Sequence, residues 1–343
     1  MKKIFLVGYY GYNNFGDDLL LKSTFKILNE IGFNDTLIIP SEIDFLSKKM
    51  RNILKFNVEI INKYDIFSMK KNIKDSDLII YGGGNLLQSE TSLKSYYYYY
   101  EICKVAIKYN KKILFLSQGF GPLKHKTANK KLKKIMKYEN LFGIYRDKVS
   151  YNYSKKYNKN SYFGMDIGPY SLNAYKNKKE RKISLCLKNS YSNLKYLIDF
   201  LNIFSDYTIT PLIINSNQDS ITNYALVESI RKDTMNEVLF PYKDFNKIQE
   251  EIATSSLVIS DRLHSSLASI FYETPVLTKL TKKNRRVLKS IDNKYNFFYN
   301  RLLDIPESYF RLLKYNFLET SETYKIRLND TINLSKQIIQ NVL

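Results

Sequence analysis

The stretch KIFLVGYYGYNNFGDDLLLKSTFKILNEIG, residues Lys3 to Gly32, decides the fold class. It opens with a short apolar run, turns through glycines and asparagines, and continues as a long amphipathic segment. The run from Ile4 to Gly8 is too short for the apolar core of a signal peptide. It reads instead as the first buried strand of a parallel sheet. A strand, a glycine-rich turn and a helix, in that order, are the opening half of a βαβ unit.

The same rhythm continues outward. TLIIP, VEII, DLIIYGGG, KILFLSQG and LFGIYR are strand candidates, with SYYYYYEICKVAIKYN and ANKKLKKIMKYE as further helices among them. From Ser150 to Lys182 the pattern thins into Asn, Lys, Tyr and Gly. It then resumes with KISLCL, NLKYLIDFLNIFS, TITPLII, a helix near Ile221 to Lys232, NEVLF, DFNKIQEEIATS, LVIS and PVLTKL. The expectation is an α/β protein of two Rossmann-like domains facing a cleft. They span residues 1–165 and 166–320, and a helix over 321–343 is placed to pack back across the junction.

At 343 residues the chain is long enough for two cores, and 44% hydrophobic and 15% aromatic content suit a folded globular protein. Cys103 and Cys186 lie in different halves inside apolar segments, as buried thiols of a reducing cytoplasm rather than a disulfide framework. No stretch reaches the length of a membrane span. The net charge of +21 invites an anionic polymer or membrane partner. The basic residues, however, are spread along the chain, as a solvated surface would have them. Tyr96 to Tyr100 would cover every face of a helix, so some should be exposed, either as packing or as an aromatic surface for carbohydrate or membrane.

Several loops follow strands at the edge where open α/β sheets bind ligands. GYYGYNNFGDD (Gly8 to Asp18) lacks the dinucleotide spacing and puts Asp17 where a phosphate loop has lysine. Asp17 reads as a helix N-cap, with Asn14 and Gly16 shaping the turn. YGGGNLLQ and SQGFGPL bring Gly83, Gly84, Gln118 and Gly119 to the same edge. YRDKVS ends a strand with Arg146, either aimed at a ligand anion or paired with Asp147 or another surface carboxylate. LVISDRLHSS (Leu257 to Ser266) is a buried strand, a turn and a helix start. Arg262 offers a planar fork for an anion, the helix N-terminus near Ser265 adds backbone donors, and His264 can move a proton near neutral pH. Only two histidines are present, and His125 sits in a lysine-rich loop. Two distant histidines and scattered carboxylates form no metal constellation.

GYYGYNNFGDDLLL, DLIIYGGGNLLQ, LSQGFGPL, YRDKVS and SDRLHSSLAS, in this order, resemble the bacterial polysaccharide pyruvyl transferase family over about Lys3 to Pro275. The resemblance implies a fold similar to GT-B glycosyltransferases. It implies transfer of a pyruvyl group from phosphoenolpyruvate to a sugar of a surface polysaccharide or its precursor, as a ketal. By the same resemblance Arg262, Leu263 and His264 match the family's Arg-Leu-His triplet, with arginine on the donor anion and histidine in catalysis. Arg146 matches a second donor arginine. The sequence departs from the family after Pro275, where VLTKLTKKNRRVLKS replaces a glycine turn and a Tyr-Asp-Pro-Lys-like stretch.

The expected enzyme works in the cytoplasm, or peripherally at the inner membrane face. It needs no cofactor beyond its donor substrate, takes a saccharide acceptor that is lipid-linked, nucleotide-linked or polymeric, and binds no nucleic acid. The first domain would serve the acceptor and the second the donor. Two alternatives stay open: a nucleotide-sugar-dependent glycosyltransferase of the same fold, and a non-catalytic binder of anionic polymer or membrane.

Overall fold

A computed structural model describes residues 1–90, 92–175, 178–188 and 193–343, apart from the side chain of residue 222. The chain forms two compact units. The first holds Met1–Gly11, Asp17–Ser171 and Arg327–Leu343, and the second holds Tyr12–Gly16 and Leu172–Ile326. The units thus divide after Ser171, whereas the sequence pattern placed the boundary after residue 165.

The first unit contains strands β1 (Lys3–Val7), β2 (Thr36–Ser41), β3 (Asn57–Asn62), β4 (Leu78–Tyr81), β5 (Lys112–Gln118), β6 (Leu141–Tyr145) and β7 (Ser161–Phe163). They form one parallel sheet in the order β3-β2-β1-β4-β5-β6-β7. Helices α1 (Phe15–Glu30), α2 (Lys48–Asn52), α3 (Ile66–Asp75), α4 (Leu93–Lys108), α5 (Lys126–Met136) and α6 (Lys148–Lys155) connect them. β4 is buried along its whole length, as a parallel strand covered on both faces must be. The crossovers through α3, α4 and α5 run the same way along the sheet, so right-handed connection puts these helices on one face, where α4 packs against both neighbours.

That packing corrects one expectation. Tyr96, Tyr99 and Tyr100 are buried, and Tyr97 and Tyr98 are half-buried against the same core, so none of the five is fully exposed. Helices on both sides take up faces that an isolated helix would show to water. Lysines are dense on two of these helices. α5 carries Lys126, Lys130, Lys131, Lys133 and Lys134 with no acidic residue. α3 adds Lys70, Lys71 and Lys74, and begins with Ile66 and Phe67, which are 63% and 86% exposed.

The second unit has strands β8 (Glu180–Cys186), β9 (Thr208–Pro211), β10 (Ser255–Ser260), β11 (Val276–Lys279) and β12 (Phe298–Tyr299), in the parallel order β12-β11-β10-β8-β9. Its helices are α7 (Lys195–Asn202), α8 (Ser216–Asp233), α9 (Phe245–Thr254), α10 (Leu263–Phe271), α11 (Lys282–Ile291), α12 (Ile305–Leu313) and the start of α13 (Phe317–Val342). NEVLF is not a strand. Val238 makes a single bridge to Ile209, because the Asn236 side chain donates to the carbonyls of Phe204 and Tyr207 and holds the segment in a turn. The last part of α13 belongs with the first unit, where Thr331 Oγ1 accepts from Met165 N at 2.9 Å and Lys112 Nζ donates to Val342 O at 2.6 Å. Among the described residues no helix is long and apolar enough to cross a membrane.

Candidate active site

β10 delivers the segment Asp261–Ser266 at its carboxyl end, and the turn there is stitched by its own serines. Ser260 Oγ accepts from Arg262 N at 3.0 Å and lies 2.7 Å from Ser265 Oγ. Ser265 and Ser266 both donate their hydroxyls to Arg262 O at 3.0 Å, closing the first turn of α10. Leu263 is buried and anchors that turn in the core. Asp261 splices neighbouring strand ends: its carboxylate accepts from Lys188 N at 2.8 Å and from the Tyr299 hydroxyl at 2.7 Å.

Arg262 projects toward the first turn of α8. Its Nε donates to Asp219 Oδ2 and its Nη2 to Gln218 Oε1, both at 3.2 Å, and Nη2 is also paired with Asp219 Oδ1. The arginine side chain is 17% exposed and the aspartate 1%. Asp219 is itself oriented by Asn215 N, which donates to Oδ2 at 2.9 Å. His264, 8% exposed, follows in the first turn of α10.

The segment Tyr12–Gly16 completes this unit. Phe15 N donates to Ile214 O at 2.9 Å and Ser216 N to Asn13 O at 3.1 Å, with Asn14 bridged antiparallel to Asn215. The Asn14 side chain accepts from Gly16 N at 3.1 Å and caps α1. Asp17, expected as the N-cap, is instead in the helix's first turn, because α1 begins at Phe15 and Asn14 has taken the capping place. The structure therefore gathers Asn14, Gly16, Arg262, Leu263, His264 and Ser265 in one unit.

The remaining predicted residues belong to the other unit. Gly84 bridges Gln118, and Gly119 N donates to Gly84 O at 2.8 Å. Gly83 and Gly84 both have φ of 93°, and a Cβ on Gly83 would come within 2.6 Å of Leu20. Gln118, fully buried, donates to Tyr81 O at 3.3 Å. Arg146 N donates to Gln118 O at 3.2 Å. The guanidinium of Arg146 pairs with Asp166, not with Asp147. Asp147 is the N-cap of α6, accepting from Ser150 N at 2.9 Å and from Ser150 Oγ at 2.7 Å. Gly119 lies against this pair: a Cβ there would stand 3.3 Å from Arg146 Nε.

Sequence reasoning missed Asp219 and Asp166, whose importance depends on distant partners. It also passed over Asp18, whose carboxyl burial pushes up to about 6, with Lys22 pulling the other way. The adjacent pair Asp17-Asp18 at the start of an apolar helix was the available signal. Among the described residues no cluster of three His, Cys, Asp or Glu side chains could hold a metal ion.

A model of the polysaccharide pyruvyl transferase family matches residues 14–282. The chain belongs to the polysaccharide pyruvyl transferase family. The match takes in the end of the first glycine-rich turn from Asn14 and the whole Arg-Leu-His segment, so both sets of residues described above lie within the family's common region. No curated protein matches the chain in sequence. Among solved structures, it is similar to UDP-GlcNAc 2-epimerase from Neisseria meningitidis bound to UDP-GlcNAc, at TM-score 0.63 and 9% identity over 98% of this chain and 100% of that one. HepE from Anabaena, solved with UDP-glucose, gives 0.59 and 13% identity with 100% of both chains covered. A glycosyltransferase from Rickettsia africae gives 0.60 and 13%, covering 99% of this chain and 98% of that chain. At these identities the likeness is one of fold: this pyruvyl transferase family member is GT-B-like, with two Rossmann-like domains.

Proposed function

We propose that the protein transfers the pyruvyl group of phosphoenolpyruvate to a saccharide as a cyclic ketal, with His264 as the general acid–base group. The observation that carries this reading is the placement of a nearly buried imidazole in the first turn of α10, two residues from Arg262 at the end of β10. The arginine fork and the backbone N–H groups of a helix start suit the donor's carboxylate and phosphate. A sugar hydroxyl adds to C2 of the donor while C3 gains a proton, with His264 relaying the proton that the hydroxyl loses. A second hydroxyl of the same sugar then attacks C2, its proton passes to His264, and phosphate leaves with the C–O bond it held. General acid–base help of this kind is worth about 10²–10⁴-fold.

In this reading Arg262, Leu263 and Ser265 form the donor site. Arg146, closed in by Asp166, acts by holding the Gly84–Gln118–Gly119 loops in place. Those loops, with Gly83 and Asp17, are assigned to the acceptor. The reaction is assigned to the cytoplasm or to the inner face of the membrane. The lysine-rich layer of α3 and α5, with Ile66 and Phe67 exposed, supports peripheral contact with an anionic membrane carrying the acceptor.

The UDP-sugars in the similar structures favour a second reading, a nucleotide-sugar glycosyltransferase. Thermal shift separates the two, since a ligand that binds the folded state raises the melting point. With saturating phosphoenolpyruvate, wild type and His264→Ala should shift by several degrees relative to their own ligand-free values, and Arg262→Ala should not. A shift with UDP-glucose and none with phosphoenolpyruvate would replace the first reading by the second.

A further inference from the structure

We propose that Gly16 is a positioning residue for His264, and that its missing side chain is what lets the imidazole occupy its place. The inference rests on the reading of His264 as the proton-transfer group. It concerns a glycine that the sequence suggested as part of a turn and of the acceptor loops.

Gly16 is the second residue of α1, and its φ lies outside the left-handed region. Neither a turn nor a strained backbone asks for glycine there, and glycine is a poor helix former. The space beside it does ask. A Cβ at residue 16 would lie 1.9 Å from His264 Nδ1, 2.6 Å from Cγ and 2.9 Å from Cε1. Cγ is the root of the ring, so no small swing of the imidazole clears a methyl group. The ring would have to change rotamer and leave.

The backbone cannot yield instead, because both walls are tied. On one side Phe15 N is bonded to Ile214 O at 2.9 Å, Ser216 N to Asn13 O at 3.1 Å, and the Phe15 ring packs 5.3 Å from that of Phe245. On the other side the Ser260–Ser265 contact at 2.7 Å and the serine bonds to Arg262 O fix the start of α10. Adding a methyl group therefore displaces the imidazole. The start of α1 is in this sense the back wall of the histidine's pocket, and the two helix starts are matched to each other through one absent side chain.

The chain's two histidines make this directly observable. In protein labelled with ¹⁵N-histidine, Gly16→Ala should move the imidazole resonances of His264 and leave those of the exposed His125 unchanged, with His264→Ala identifying the two sets. Melting points supply a test that does not need a well-behaved single variant. Gly16→Ala should lower the melting point of wild type by several degrees but leave His264→Ala unchanged or raise it, since alanine is then the better helix former with nothing to strike. Equal losses in both backgrounds, or unmoved His264 resonances, overturn the proposal. If the resonances and melting points behave as stated while phosphoenolpyruvate shifts no variant, the positioning contact stands and the donor reading falls.

Discussion

Each unit places an arginine just after a strand and holds it with an aspartate, and the two pairs differ in how far water reaches them. Arg146 and Asp166 are 1% and 0% exposed. Arg262 is 17% exposed over an Asp219 that is 1% exposed. A dry pair has already given up the hydration of both charges and holds together only while both partners remain. A pair open on one side can exchange part of its contact for an incoming anion. The same residue types after strands of two similar folds thus sit in different surroundings: Arg146 is sealed from water, and Arg262 is open to it on one side.

The largest expected effect tests that contrast directly. Asp166→Ala leaves a buried guanidinium uncompensated and should cost about 3–5 kcal/mol of unfolding free energy. Asp219→Ala, whose arginine can turn to water, should cost about 1–3 kcal/mol. Urea denaturation of both variants checks this, and equal losses would break the comparison.

A carboxylate with no arginine sharpens it. Burial raises the Asp18 carboxyl to about 6, above its value of about 3.9 in an unfolded chain. Between those values the folded state binds more protons than the unfolded state, so this group's contribution to stability falls as pH rises from about 4 through 6. Asp18→Asn should remove that slope and stabilise the protein at pH 7 by on the order of 1–2 kcal/mol. Melting curves from pH 4 to 7 measure it, and an unchanged slope would show that Asp18 is well solvated.

The smallest effect concerns the charge on α5, which carries no acidic residue of its own and whose Lys131 and Lys133 lie over tyrosine rings. Binding to vesicles of phosphatidylglycerol and phosphatidylcholine should weaken roughly fivefold for each of Lys130→Gln and Lys134→Gln, at about 1 kcal/mol per lysine near an anionic surface. Flotation with phosphatidylcholine alone is the control. Equal failure to float in both lipids would remove the membrane from the picture.

What could be read in advance follows the range of the interactions. Short apolar runs and long amphipathic segments announce parallel α/β units locally, and most of the strands lie where those runs are. β7 and β12 are too short to leave a pattern. The arginine and histidine of DRLH were legible because a strand, a turn and a helix start sit within ten residues. Their partners were not. Asp219 is 43 positions from Arg262, and Asp166 is 20 from Arg146. The adjacent Asp147 looked the better partner for Arg146, but Ser150 claims it as a helix cap. Gly16 could have been read more sharply, as a glycine inside a helix start that no turn required.

The segment Tyr12–Gly16 also bears on how the chain is made. Its contacts reach across 205 positions from Tyr12 to Asn217 and 230 from Phe15 to Phe245. During synthesis this segment emerges well before its partners at Ile214 to Ser216 and at His264 exist. Pairings of such long sequence separation are slow to close and come late. The histidine pocket is therefore among the last parts to be finished. A fragment of residues 172–326 would lack the wall on which its histidine leans.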